Sequence, residues 1–124
     1  MRLLNLKTVV AVFSVALLSA FPETSWGHAF PDHADPKVGS IVSAAPTRVR
    51  IWFDSELEPA FSTIMVHAAD GWMADKGDGR VNPNDATLLE ISLPPLPVGV
   101  YRVIWSVVAR DGHRTSGDYT FSIK

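Results

Sequence analysis

The chain has 124 residues, enough for one domain and too few for two. With 11 Lys and Arg against 13 Asp and Glu its formal charge is −2, so it has no field for gathering nucleic acid or anionic lipid. Cysteine is absent, which removes disulfides, Cys-ligated zinc, iron–sulfur clusters, blue copper and thiol catalysis, and leaves His, Asp, Glu, Met or a chain terminus as metal donors.

Arg2 and Lys7 precede an apolar run at residues 9–21, and Ser25-Trp26-Gly27 places small residues at −3 and −1 of a cut before His28. These are the three regions of a signal peptide. An apolar run of 13 residues is short of the roughly 18–20 that span a bilayer, so a retained membrane anchor is the less favoured alternative. Residues 1–27 are therefore expected to be removed and 28–124 to form the mature domain, with no stable membrane insertion after cleavage. Lacking disulfides, a domain of that size must be held by a dense core.

From Pro36 onward the pattern has period two. A weak strand is expected around 38–42, then clear strands at Arg48–Phe53, Thr63–Ala68, 88–93, 100–108 and 118–123. Residues 100–108 are apolar on much of both faces, which suits a central strand in which Arg102 keeps its charged end near solvent. Turn signals separate the strands, among them Ala45-Pro46, Asp70-Gly71, Asn82-Pro83-Asn84 and Asp111-Gly112. Pro59 excludes a central strand after Phe53, so 56–62 reads as a connection crossing between sheets. Residues 73–86 read as a long polar loop. The whole predicts an all-β, antiparallel Greek-key or immunoglobulin-like β-sandwich.

No Gly-x-Ser-x-Gly elbow and no phosphate-cradling glycine loop is present, so the four histidines, His28, His33, His67 and His113, are the leads. Cleavage before His28 would leave its α-amine and imidazole Nδ1 free to chelate one metal, a nitrogen pair suited to Cu(II). A small or polar residue there also simply suits signal peptidase. Asp111-Gly112-His113 offers a carboxylate and an imidazole from one tight loop, although Asp-Gly is ordinary turn chemistry too. Together the two segments supply two imidazoles, an amine and a carboxylate.

Several segments carry a resemblance. They are His28-Ala29-Phe30, Asp35-Pro36-Lys37-Val38-Gly39-Ser40, Ala44-Ala45-Pro46, Ile51-Trp52-Phe53-Asp54-Ser55-Glu56-Leu57-Glu58-Pro59, Leu96-Pro97-Val98-Gly99-Val100-Tyr101, Asp111-Gly112-His113 and Tyr119-Thr120-Phe121. In this order, over nearly the whole mature chain, the sequence resembles the CopC family of periplasmic copper-binding proteins. The resemblance implies a cupredoxin-like β-sandwich, a periplasmic role in copper homeostasis or resistance rather than an enzyme, and one Cu(II) ion held by His28, Asp111 and His113. It adds Glu56 as a further weak ligand candidate, against a plain reading of Asp54, Glu56 and Glu58 as solvated acids. It also names a CopD-type inner-membrane copper transporter as a partner. Some family members hold Cu(I) in a methionine-rich loop. Here the mature chain has only Met65 and Met73, the latter beyond the Asp70-Gly71 turn from His67, so no dedicated Cu(I) site is expected and packing is the expected role of both. His33 either reaches the metal or is merely exposed. The rival readings are a small copper oxidoreductase of the lytic-monooxygenase type and a metal-free adhesion or sensor sandwich.

Overall fold

The computed structural model describes residues 28–124. The expected signal peptide, 1–27, lies outside the described residues. Eight strands follow in order: β1 (Pro31–Asp35), β2 (Ile41–Val42), β3 (Arg48–Phe53), β4 (Thr63–Ala68), β5 (Arg80–Asn82), β6 (Asp85–Ser92), β7 (Gly99–Val108) and β8 (Arg114–Ile123). They form two four-stranded sheets, β1-β3-β6-β5 and β2-β8-β7-β4. The all-β sandwich is therefore the one the alternating pattern predicts.

The faces sort as period-two patterning requires. In the first sheet Val49, Ile51 and Leu89 point inward and are essentially fully buried, with Ile51 opposite Leu89 and Leu89 opposite Val81. In the second, Val66, Val103, Val107 and Phe121 do the same. Each such side chain contributes about 1.5–3 kcal/mol by leaving water. Two aromatic contacts orient the core: Phe53 meets Trp105 edge-on at 5.1 Å, and Tyr101 stacks on Phe121 at 5.6 Å. Arg102 lies on the outer face and pairs with Asp118 at 2.8 Å.

Four features depart from the sequence reading. β1 has too little apolar alternation to be seen; it is a polar edge strand held to β3 by its backbone, with Pro31 at its first position. β5 lies inside the expected polar loop 73–86, three residues that show only Val81 to the core. β8 begins at Arg114 rather than 118, because the equally long β7 pairs with its polar first half. The weak strand expected at 38–42 shrinks to Ile41–Val42, since Gly39 turns at φ +69°, and it runs parallel to β8, the one parallel pair among the described residues. The segment after β3 crosses between sheets as expected, through a single 3-10 turn at Pro59–Phe61.

Gly117 is a position where packing tolerates no side chain. It faces Trp105 across the β7–β8 ladder, and a Cβ there would sit 2.6 Å from the indole. Gly117→Ala should therefore destabilise the domain by about 1–3 kcal/mol, read as a drop of about 4–8 °C in the thermal midpoint per kcal/mol; an unchanged midpoint would show that Trp105 moves freely.

Candidate metal centre

The tip of the β7–β8 hairpin carries Asp111-Gly112-His113. Gly112 adopts φ +92°, open to glycine and costly for other residues. Its N–H donates to the Ala109 carbonyl at 2.9 Å, and the Ala109 N–H donates to the His113 carbonyl at 2.9 Å, closing the turn. The Asp111 carboxylate then brackets His113: one oxygen accepts the backbone N–H at 3.1 Å, and the other lies 3.1 Å from Nδ1. The backbone hydrogen bond and then the side-chain one hold the Asp111 carboxyl below the usual carboxylate range, and the charges of His113 and His28 add to this. With Nδ1 turned to Asp111, Nε2 is the His113 nitrogen left for a ligand.

His28 comes to this tip from the other end of the chain. Its ring stacks on that of His113, with centroids 4.9 Å apart and planes at 25°, and lies 6.0 Å from the ring of Phe30. The fold thus brings together three of the four ligand candidates: His28, Asp111 and His113. Among the described residues no three His, Asp or Glu side chains converge as a ready metal cage.

Glu56 lies beside the tip, engaged elsewhere. Its carboxylate pairs with Arg110 at 2.7 Å, and its carbonyl accepts the Arg110 N–H at 3.1 Å. The neighbouring Glu58 N–H donates to Val108, and Leu57, fully buried, bridges to Ala109. This connection braces the hairpin from the first sheet's side. Asp54 is no free surface acid either: its carboxylate accepts the Phe30 N–H at 2.8 Å and its own N–H donates to the Phe30 carbonyl at 2.9 Å. Nothing in the local pattern of residues 54–58 separates Asp54 from the other acids there; only the neighbouring strand end does.

His33 turns away to the outer face of the first sheet, stacked on Trp52 at 4.4 Å with Nδ1 2.8 Å from Asp32. His67 lies toward the opposite end of the sandwich, paired in register with Arg102. The spacing argument that separated Met73 from it does not hold. The turn folds back so that Met73 stands directly across from His67, with Ala68 and Ala74 donating to Trp72 and Val66 on either side of the pair. Met65 and Met73 are 38% and 54% exposed, so they pack on the surface and not in the core.

Comparison with known proteins points one way. The family model for the CopC domain matches residues 32–124. Protein YobA of Escherichia coli is 31% identical over 97% of this chain and 95% of its own. Copper transport protein CutJ of Bacillus subtilis is 31% identical over 90% of this chain, which spans only 21% of CutJ's length. Among solved structures, CopC from Methylosinus trichosporium OB3b superposes with a TM-score of 0.69 at 31% identity, covering 78% of this chain and 94% of its own. The methionine-rich copper resistance protein PcoC from Escherichia coli gives 0.68 at 30% identity, covering 78% and 99%. With a family model spanning most of the chain and an all-β sandwich that matches solved members, this chain belongs to the CopC family.

Proposed function

We propose that the chain is a periplasmic carrier or buffer of Cu(II) in copper homeostasis or resistance, exported by cleavage after Gly27, with one Cu(II) ion as its cargo. The observation that carries the reading is the 4.9 Å approach of the His28 and His113 rings at the hairpin tip. Cleavage would free the His28 amine, which with Nδ1 chelates as a pair. His113 Nε2 adds a third nitrogen, and Asp111 completes or flanks the set. Nitrogen and oxygen donors of this kind suit Cu(II), which stands highest among the divalent ions in affinity. Glu56 contributes charge at the rim while it is held by Arg110.

The names of relatives support cargo handling: CutJ is a copper transport protein, and another relative, 31% identical, is Copper resistance protein C of Escherichia coli. A CopD-type inner-membrane transporter would be the acceptor in an uptake role. Each donor must lose its proton to bind, so affinity falls as pH falls, which gives a release route.

Three outcomes test this. Placing one extra glycine before His28 should weaken Cu(II) binding by more than about 100-fold, because even outer-shell partners of a metal are worth 10–100-fold; unchanged affinity would sink the terminal chelate. His113→Ala should remove one nitrogen from the Cu(II) spin-resonance spectrum, and an identical spectrum would remove His113 from the site. The face shared by Met65, His67 and Met73 is where a one-ion reading could fail. Met65→Leu with Met73→Leu should leave both Cu(II) affinity and Cu(I) retention unchanged, and a collapse of Cu(I) retention would establish a second, softer site. Peroxide production by the copper-loaded protein with a reductant would favour the oxidoreductase reading.

A further inference from the structure

The two residues after His28 are tied down more firmly than a strand approach requires. Ala29 is fully buried in the core. Its carbonyl accepts a 2.6 Å hydrogen bond from Thr115 Oγ1, on the inward side of β8 and opposite Val107. Phe30 exchanges two hydrogen bonds with Asp54, N–H to carboxylate at 2.8 Å and carbonyl to N–H at 2.9 Å. Asp54 follows the last residue of β3 in the first sheet, and Thr115 is the second residue of β8 in the other. Residues 29 and 30 are thus fastened to both sheets at once, at the end of the sandwich where the hairpin tip lies.

A chain end normally frays, and ordering it when a ligand arrives costs conformational entropy. We infer that Thr115 and Asp54 are positioning residues that latch the segment after His28 between the sheets, so that residue 28 is held against His113 before copper arrives. Neither side chain is a ligand; Thr115 acts through the Ala29 carbonyl and Asp54 through the Phe30 backbone. The inference rests on the Cu(II) reading above. It gives Asp54 a role its acidic neighbours Glu56 and Glu58 do not share, and it makes a hydroxyl at position 115 matter for a metal it does not touch.

The test separates a latch from a plain structural role. Cu(II) affinity is measured by competition on the exported protein for wild type, Thr115→Val, Thr115→Ser, Asp54→Ala and Asp54→Asn, each with the free terminus and with one glycine added before His28. Thr115→Val and Asp54→Ala should each lose about tenfold with the free terminus, in the range typical of outer-shell partners, and lose nothing further with the extended one. Thr115→Ser keeps the hydroxyl and Asp54→Asn keeps an acceptor oxygen, so both should stay within about twofold of wild type. Equal losses with free and extended termini would overturn the latch, as would full affinity in both Thr115→Val and Asp54→Ala. Should Thr115→Val fail to fold, the Asp54 pair decides alone. If wild type itself binds equally with either terminus, the Cu(II) reading has failed and the latch falls with it, a result visible without any variant.

Discussion

The ten-residue ladder between β7 and β8 is the constraint on which the rest depends. Its register runs unbroken from Gly99 opposite Ile123 to Val108 opposite Arg114. A slip of one residue would turn Tyr101, Val103, Trp105 and Val107 out of the core and bring Arg102 in. The same register places Gly117 under the Trp105 indole and Thr115 where its hydroxyl reaches Ala29. It also ends the hairpin at Asp111-Gly112-His113, so the core and the candidate metal centre are set by one pairing.

The candidate metal centre is exposed while its supports are buried. His113 and Asp111 project from a tight turn, yet the turn is braced by Leu57 and the backbone of Glu56 and Glu58, and the His28 segment is anchored by fully buried Ala29. This division is what the proposed role of taking up and giving away a cation would require. A rigid frame would keep the candidate donors close without ordering them at the moment of binding, and open donors would let a partner approach. The Asp111 bracket on His113 serves the same end, since it selects which ring nitrogen is free.

Charge on the outer face of the first sheet is organised differently. Glu90 is almost fully buried there, and its carboxylate is met by Arg80 at 3.2 Å and Asn82 at 3.1 Å, with Arg48 at 4.0 Å. A lone carboxylate so placed would be costly; surrounded by donors it ties β5 to β6 on either side of the register shift between Val81 and Asn82. Trp52, in β3, points to that face in contact with His33 and the Arg50 guanidinium, so this tryptophan, unlike Trp105, is not part of the core.

Much of the architecture was legible from residue order. Alternation at Arg48–Phe53, Thr63–Ala68 and residues 100–108 is a local consequence of one buried face, so it survives in the sequence, and so do the donor types at His28, Asp111 and His113. What had no local signature was whatever a distant strand decides. β1 and β5 are strands because β3 and β6 pair with them, and Met73 faces His67 because a turn returns on β4. Asp54 is a backbone partner and Glu56 an ion-pair partner although both sit in one acidic run. The sequence by itself determined the class of fold and the chemistry the candidate donors offer, because burial periodicity and side-chain type are properties of single segments. Only the tertiary structure decided that the first described residue meets the hairpin tip, because that contact depends on two sheets closing over residues 29 and 30.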